Sequence, residues 1–375
     1  MSHMKVTDVL ATSVIVPLET PTSFSTRTVN ERHYTLVKIR TDTGVEGLGF
    51  CYCGNRAGHI VTHAVRDLLA AIVIGRDAHQ VEGIWDVMYR DAVLMGRRGA
   101  ILRAMSAIDV ALWDAAAKSA ELPLYQYLGA HYQETVPAYA SGGYYLPGKG
   151  VDGLAREVAG YVETGLRAVK IKVGRVSGRE DAKRIAAARK AVGDDVEIMA
   201  DANNAWNDAP TAIRAIRLWE EYDLAWVEEP TMPDEMEASA AIARAVAVPI
   251  ATGEIHQTRW DFLEIIEKEA ASIIQPDAGV CGGITEFRRI AALAAAHSIP
   301  VAPHWLADLH VHLVAATPNA TWVEFFTGTD VLNLMAVFKT RLQVKNGGLA
   351  LPQDPGLGVV LDEAAVVKYS KDGWR

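Results

Sequence analysis

Residues 167–174 have the sequence RAVKIKVG, and the centre of this stretch predicts a β-strand with apolar side chains on both faces. The strand carries Lys170 and Lys172 with only Ile171 between them. Side chains two positions apart in a strand point to the same side, so the two ammonium groups share one face. Like charges on an otherwise apolar strand repel each other and resist the loss of water. The pair therefore indicates a chemical role for this strand.

Similar strand-like segments recur from about residue 135, and alanine-rich helical stretches such as DAKRIAAARKAV (181–192) separate most of them. The segments are VPAYAS (136–141), AVKIKV (168–173), VEIMADA (196–202), AWVEEP (225–230), PIATGE (249–254), SIIQPD (272–277), PVAPHW (300–305) and TWVEFF (321–326). Eight such units with short connections favour a parallel α/β barrel. A doubly wound open sheet is the alternative, but no glycine-rich phosphate loop follows an early strand.

The chain before about residue 130 has a mixed α+β pattern. The stretches 6–18 and 33–50 are rich in β-formers, and the second turns at TDTG (41–44). Residues 99–122 have apolar side chains at helical spacing, which predicts a long amphipathic helix. Residues 19–33 and 51–59 are expected to be polar loops. We predict an α+β domain over 1–130, a barrel over 131–330, and a C-terminal segment over 331–375 that returns to the first domain.

The bulk properties narrow the class of protein. The chain has 375 residues and a formal net charge of -9, which does not favour nucleic acid or an anionic membrane surface as a partner. No apolar run approaches the ~20 residues that span a bilayer, and the N-terminus lacks the apolar core of a signal peptide. Three cysteines are too few and too poorly spaced for a disulfide framework. We therefore expect a cytoplasmic protein.

Nearly every predicted barrel strand finishes with an ionisable residue. These residues are Lys172, Asp201, Glu228, Glu254, Asp277, His304 and Glu324. The C-terminal ends of barrel strands build the active site, so the seven side chains are expected to converge. Asp201, Glu228 and Glu254 come from successive strands, and three converging carboxylates require a cation. Oxygen ligands favour a hard ion such as Mg²⁺, although any one carboxylate alone could be a helix cap or a surface charge.

Two further groups at these strand ends have the chemistry of acids and bases. Asp277 can accept a hydrogen bond from one nitrogen of His304, which fixes the tautomer and raises the basicity of the other nitrogen. Taken alone, His304 fits a hydrogen-bonded core histidine better, and its place beside the carboxylates favours the catalytic role. Burial and the charge of Lys170 should lower the pKa of Lys172, so that it can act as a base. The alternative is that one lysine faces solvent or pairs with a carboxylate.

Two residue pairs and one further histidine each have more than one explanation. Cys51-x-Cys53 and His310-x-His312 could suggest zinc, but neither has the spacing of a four-ligand site, and ordinary packing explains both. His256 follows Glu254 closely, so it could face a substrate or support the metal ligand from behind.

Taken together, the motifs make the chain resemble the enolase superfamily, in the mandelate racemase subgroup. The motifs are KIK (170–172), DANNAW (201–206), VEEP (227–230), TGE (252–254), QPDAGVCGGIT (275–285), APHW (302–305) and the helix SAIDVALWDAAAK (106–118). The resemblance covers essentially the whole chain. It implies an α+β capping domain on a modified (β/α)8 TIM barrel of the (β/α)7β type.

The resemblance also implies roles for the residues at the barrel mouth. Mg²⁺ would be held by Asp201, Glu228 and Glu254 and would bind a substrate carboxylate. Lys172 would remove the proton from the adjacent carbon to give an enediolate, and the His304 and Asp277 pair would stand on the opposite face. The supporting residues would be Lys170, which tunes Lys172 and approaches the carboxylate, Asn203, which contacts a substrate hydroxyl, and Glu324, which hydrogen-bonds a carboxylate oxygen.

Two reactions suit this set of residues. Dehydration of an acid sugar, aldonate or aldarate, to a 2-keto-3-deoxy acid is favoured, because segments 253–262 and 310–318 resemble those of sugar-acid dehydratases. Arg27 and Arg32, in the polar stretch 19–33, could bind substrate hydroxyls or a second carboxylate. The alternative reaction is racemisation or epimerisation of a 2-hydroxy or amino acid by two bases.

The sequence also leaves two other functions open. Lys172 could form a Schiff base in a lyase, or the barrel mouth could belong to a catalytically silent ligand-binding pseudo-enzyme. The expected partners are a small carboxylate substrate and further copies of the chain in an even-numbered homo-oligomer, with no nucleic acid and no membrane.

Overall fold

The computed structural model describes residues 3–328 and 331–375, which form an α+β cap and a parallel barrel. The cap contains an antiparallel sheet in which β2 lies between β1 and β3. Its elements are β1 (Val6–Ser23), β2 (Thr28–Thr41), β3 (Glu46–Tyr52), α1 (Gly58–His63), α2 (Ala70–Val73), α3 (Val81–Asp91), α4 (Ala100–Ser119) and α5 (Leu124–Tyr127). The turn predicted at 41–44 joins β2 to β3, and the predicted amphipathic helix is α4.

Two glycines in β3 allow helix α4 to pack directly against the sheet. A Cβ atom added to Gly47 would lie 2.0 Å from the carbonyl oxygen of Ala111, and one added to Gly49 would lie 1.9 Å from that of Ala107. Positions two apart in a strand share a face, so both glycines meet the same side of the helix. Only a residue without a side chain permits this approach of backbone to backbone.

The barrel lies between residues 135 and 325, all of which are described, and it alternates strands with helices. The strands are β4 (Thr135–Ser141), β5 (Ala168–Lys172), β6 (Glu197–Asp201), β7 (Leu224–Glu228), β8 (Ile250–Thr252), β9 (Ile273–Ile274) and β10 (Val323–Phe325), with an isolated bridge at Val301 between β9 and β10. The helices are α6 (Val151–Glu163), α7 (Gly178–Val192), α8 (Ala209–Ile216), α9 (Met236–Ala245), α10 (Thr258–Glu267), α11 (Gly283–Ala296) and α12 (Ala307–Ala316). Parallel pairing of β10 with β4 closes the barrel. The predicted (β/α)7β architecture with an α+β cap is confirmed.

The register of the strands explains why the charges meet. Lys172 on β5 pairs with Asp201 on β6, and Asp201 pairs with Glu228 on β7, so these residues end their strands at one level. Below them, a small apolar cluster fills the barrel, formed by Tyr139, Ala168, Met199, Trp226, Ala251 and Ala302. Because side chains alternate along a strand, Lys170 and Lys172 point inward above Ala168. The barrel interior is therefore apolar at the bottom and charged at the mouth.

The C-terminal segment contacts both parts of the molecule. It contains β11 (Val344–Lys345), β12 (Gly348–Ala350) and α13 (Glu363–Tyr369). Strand β12 pairs antiparallel with β4 of the barrel. Near α13, Nζ of Lys38 donates to Glu363 at 2.6 Å, and Val14 forms a bridge with Ser370. The exact limits of the parts, at residues 130 and 330, stay a prediction.

Two local expectations were wrong. Residues 19–33 are not a polar loop, because β1 and β2 continue through most of this stretch as a hairpin in which Ser23 pairs with Thr28. The serines and threonines indicated a loop, but threonine is also a good strand former. The segment PVAPHW contributes only the bridge at Val301 instead of a full strand. Among the described helices, none is long and apolar enough to cross a membrane.

Candidate active site

Three carboxylates meet at the mouth of the barrel. Asp201 and Glu228 end β6 and β7, and Glu254 follows β8. One oxygen from each lies within 4.8 Å of the others. Asp201 and Glu228 are fully buried, whereas the side chain of Glu254 is 15% exposed. Three close carboxylates with oxygen donors suit a hard divalent cation such as Mg²⁺.

The two lysines of β5 neutralise part of this negative charge. Nζ of Lys170 donates to Oε1 of Glu228 at 2.7 Å and lies 3.0 Å from Oε1 of Glu324. Nζ of Lys172 donates to Oδ2 of Asp201 at 2.5 Å. Lys170 is completely buried, and Lys172 is 5% exposed. The lysine pair is therefore matched by carboxylates on β6, β7 and β10.

The expected direction of the Lys172 pKa was wrong for this arrangement. Burial, the largest single influence, and Lys170 lower the pKa of Lys172, as expected, but Asp201, Tyr144 and Glu324 together raise it above its usual value. The register that places Asp201 beside Lys172 is not visible in the sequence. Lys172 can therefore lose its proton and act as a base only when another cation neutralises the charge of Asp201.

His304 and Asp277 form a hydrogen-bonded pair on another side of the site. Nδ1 of His304 donates to Oδ2 of Asp277 at 3.0 Å, and the other oxygen of Asp277 accepts from the backbone N–H of Gly279 at 2.7 Å. Nε2 of His304 lies 3.4 Å from Oε2 of Glu254. Burial lowers the pKa of His304, but Glu254 and the hydrogen bond to Asp277 raise it to about 9. His304 can therefore hold a proton on Nε2.

A cavity of about 270 Å³ lies between the cap and the barrel and gives access to these groups. The predicted site residues that line it are Arg27, Arg32, Lys172, Asn203, Glu254 and His304. The predicted residues Lys170, Asp201, Glu228, Asp277 and Glu324 are buried beneath that lining. Glu324 accepts from the backbone N–H of Trp305 at 2.8 Å, and Lys170 lowers its pKa against the effect of burial.

Asn203 follows β6 and lies beside the carboxylates. Its backbone N–H donates to Oδ1 of Asp201 at 2.9 Å, and its φ of 43° is in the left-handed region that asparagine tolerates. Its side-chain oxygen Oδ1 is buried and has no hydrogen-bond partner among the described residues. Asn203 therefore offers the cavity a free acceptor.

The structure does not bring His256 into this cavity. Nε2 of His256 lies 3.3 Å from the carbonyl oxygen of Pro233, and its ring packs edge-on against Phe262. His256 lines a separate narrow cleft with Pro233 and Thr252, and it is absent from the lining of the cavity at the barrel mouth. The substrate-facing alternative for His256 is wrong for this structure.

Sequence reasoning missed two charged residues of the cavity. Glu229 is 1% exposed, and neither of its carboxylate oxygens has a partner among the described residues. Strand alternation would turn it away from Glu228, but its φ of 45° turns it into the cavity. Burial, with the charges of Asp201 and Glu228, raises its pKa to about 8. The only signal was the doubled glutamate in VEEP.

The second missed residue is Arg103, which belongs to helix α4. The sequence pattern assigned this helix to packing, yet Arg103 lines the cavity and donates from Nη1 to the carbonyl oxygen of Tyr52 at 2.6 Å. No sequence signal separated it from the other polar residues of the helix.

The possible zinc pairs have other contacts. His310 accepts from the N–H of Ala278 at 3.0 Å and donates to the carbonyl of Trp305 at 3.0 Å. His312 accepts from the N–H of Tyr125 and donates to the carbonyl of Leu357. Cys51 and Cys53 are free thiols with their sulfur atoms 3.8 Å apart. Within the described residues, the group suited to a metal is that of Asp201, Glu228 and Glu254.

Family models match both parts of the chain. Residues 6–129 match the mandelate racemase / muconate lactonizing enzyme N-terminal domain, and residues 153–365 match the enolase C-terminal domain-like family. The chain belongs to the enolase superfamily, in the mandelate racemase subgroup. The resemblance carried by the motifs is confirmed.

Relatives within the superfamily cover nearly the full length of the chain. An L-talarate/galactarate dehydratase of Salmonella typhimurium is 36% identical, covering 93% of this chain and 87% of that protein. An L-talarate dehydratase of Polaromonas, solved with Mg and L-glucarate, has a TM-score of 0.91 and 35% identity, covering 99% of both chains. A racemase of Streptomyces coelicolor, solved with magnesium, has a TM-score of 0.91 and 34% identity, covering 98% of this chain and 100% of its own.

Proposed function

We propose that this superfamily member is a Mg²⁺-dependent dehydratase that converts an acid sugar, aldonate or aldarate, to a 2-keto-3-deoxy acid. The observation that carries the proposal is one cavity in which Lys172 and His304 are both accessible beside three converging carboxylates. A similar dehydratase from Salmonella typhimurium acts on L-talarate and galactarate, which supports the reaction class.

Asp201, Glu228 and Glu254 would hold the cation, since their oxygens converge and two of them are fully buried. When bound, Mg²⁺ supplies positive charge that stabilises the negative charge developing on the substrate carboxylate during proton removal. With Asp201 engaged as a ligand, Lys172 loses the largest of the influences that raise its pKa, while burial and Lys170 continue to lower it. Lys172 then has a neutral form available as a base.

The dehydration requires two proton transfers, one to Lys172 and one from His304. Nζ of neutral Lys172 takes the proton from the carbon next to the carboxylate, and the electron pair of that C–H bond moves into the carboxylate to give an enediolate. In a second step the electron pair returns to form a C=C bond as the C–O bond of the neighbouring carbon breaks. Nε2 of His304 gives its proton to the departing hydroxyl, which leaves as water. The enol product then tautomerises to the 2-keto acid. Asp277 holds the ring of His304 so that Nε2 faces the cavity.

A screen of aldonic and aldaric acids with purified protein and Mg²⁺ tests this proposal. Dehydration gives a 2-keto acid that reacts with semicarbazide, and activity should disappear with a chelator and return with Mg²⁺. Turnover that survives chelation, together with a borohydride-trapped adduct on Lys172, would instead identify a Schiff-base lyase. A complete absence of both turnover and α-proton exchange across the panel would favour a silent ligand-binding protein.

Epimerisation is the second candidate because Lys172 and His304 both line the cavity and could act on the same carbon. The similar racemase of Streptomyces coelicolor supports it. Exchange of the α-proton in D₂O with inversion of configuration, and without 2-keto acid, would identify this reaction.

The cellular setting is part of the proposal. We propose a cytoplasmic enzyme, supported by its free thiols at Cys51, Cys53 and Cys281 and by its relationship to enzymes of sugar-acid metabolism. We also propose an even-numbered homo-oligomer that acts on a small carboxylate substrate. Light scattering coupled to size-exclusion chromatography tests the assembly.

A further inference from the structure

The wall of the cavity that comes from the cap carries positive charge with no balancing carboxylate. Arg27, Arg32 and Arg103 line this wall. Among the described residues, none of the three forms a salt bridge, and no aspartate or glutamate of the cap lines the cavity. The carboxylates that line it, Glu229 and Glu254, belong to the barrel wall.

Arg32 is the most constrained of these cations. It is 2% exposed, Nε donates to the carbonyl oxygen of Val331 at 2.7 Å, and Nη1 donates to the hydroxyl of Tyr52 at 3.0 Å. The guanidinium also lies 4.4 Å from the ring centroid of Trp305. Nη2 has no hydrogen-bond partner among the described residues. A buried charge without a counter-charge is costly, so a group held in this way is arranged to receive an anion.

Arg103 lies on the other side of the same tyrosine. Its Nη1 donates to the backbone carbonyl of Tyr52, and its remaining N–H groups have no partner among the described residues. Tyr52 stacks on Trp305 with ring centroids 5.3 Å apart, and Trp305 directly follows His304. The two guanidinium groups and the stacked rings therefore form a cationic wall that faces the same space as the catalytic histidine.

The carboxylate next to the reacting carbon cannot be the anion that binds to this cationic wall. That carboxylate must lie at Asp201, Glu228 and Glu254, where the proposed cation and Lys172 act. We propose that Arg32 and Arg103 bind the distal carboxylate of a di-acid, so that the preferred substrates are aldarates. The inference rests on the proposed dehydratase function and names its substrate class. Guanidinium groups suit this role because their paired N–H groups match the two oxygens of a carboxylate.

Matched substrate pairs test the inference. An aldarate and the aldonate with the same hydroxyl configuration differ only in a terminal carboxylate or hydroxymethyl group. Wild-type kcat/KM should favour the aldarate at least tenfold. Arg103→Met and Arg32→Met should lower kcat/KM for the aldarate by at least the factor of the wild-type preference, and that for the aldonate by much less, so that the preference disappears. Arg32→Lys should retain part of the preference.

The controls separate this result from a loss of folding and from failure of the dehydratase proposal. Arg90 is an exposed arginine of the cap that pairs with Asp86, away from the cavity, and Arg90→Met should leave both substrates unaffected. Retained aldonate turnover shows that a variant is folded. Arg103 is half-buried, so Arg103→Met disturbs the stacked rings less than Arg32→Met does. Equal kcat/KM for both acids in the wild type, or an equal fall in kcat/KM for both in the variants, would overturn the inference. Neither result would contradict the proposed dehydratase function. No dehydration of either acid would overturn both.

Discussion

Nζ of Lys172 lies 2.5 Å from Oδ2 of Asp201, so the proposed base is paired with a proposed metal ligand. A cation at the three carboxylates and the ammonium of Lys172 therefore compete for the same oxygen. We predict that Lys172→Met retains Mg²⁺ binding and increases its affinity, because removing the ammonium removes a nearby like charge. Isothermal titration calorimetry measures the affinity. Weaker binding than in the wild type would show that Lys172 supports the metal site instead of competing with it.

Removal of a metal ligand should abolish turnover and the thermal stabilisation by Mg²⁺. Glu254→Gln takes one charge from the three carboxylates, so Mg²⁺ should bind much more weakly. At a Mg²⁺ concentration of 100 times Kd, binding stabilises the wild type by about 2.7 kcal/mol, and the variant should lose most of this increment. Differential scanning fluorimetry with and without Mg²⁺ measures the change.

The matched control for this prediction is the exposed residue Glu163, at the end of α6. Glu163→Gln should keep the full response to Mg²⁺. If Glu254→Gln kept it as well, the cation would be bound somewhere other than the three carboxylates.

His312 should make the fold sensitive to mild acid. Burial lowers its pKa from 6.5 to about 4, although its hydrogen bond to Leu357 opposes the shift. The folded-state pKa is lowered, so its contribution is complete above pH 6.5 and is lost as the pH falls from 6.5 to about 4. The loss amounts to about 3 kcal/mol at 1.36 kcal/mol per pKa unit.

Urea denaturation of wild type and His312→Gln at pH 7.5 and pH 5 tests this effect. The wild type should lose more stability between the two values than the variant does. His63→Gln, at an exposed histidine, provides the control and should behave like the wild type. An identical pH dependence in wild type and His312→Gln would contradict the assignment of this histidine as a buried neutral group.

The close contact between β3 and α4 gives a stability prediction for the cap. Gly49→Ala should destabilise the protein by about 1–3 kcal/mol or more, because the new Cβ would overlap the carbonyl of Ala107. Gly83→Ala in α3 is the control, since nothing lies within 4 Å of its added Cβ and alanine is favoured in helices by about 0.5–1 kcal/mol. Equal melting temperatures for the two variants would contradict the packing argument.

The sequence predicted the barrel because eight strand-like segments alternate with helical stretches over short connections, and nearly every segment ends in a charged residue, as KIK does at 170–172. It predicted the meeting of Asp201, Glu228 and Glu254 for the same reason, since parallel strands present their carboxyl ends at one edge. Register across strands was not visible, and the Lys172 pKa was therefore assigned the wrong direction. Backbone turns were not visible either, so Glu229 was missed and a substrate-facing position was kept as one of two alternatives for His256. Arg103 was missed because a single arginine on a packing helix has no distinctive pattern.

In the proposed reaction, Lys172 removes the α-proton and His304 protonates the departing hydroxyl. The most direct measurement is α-proton exchange in D₂O, followed by NMR alongside 2-keto acid formation, in wild type, Lys172→Met and His304→Asn with an acid sugar that the wild type dehydrates. We predict that Lys172→Met loses both exchange and product by a factor of about 10²–10⁴, whereas His304→Asn still exchanges the proton and forms little product. Exchange that persists in Lys172→Met, or disappears in His304→Asn, would contradict this assignment.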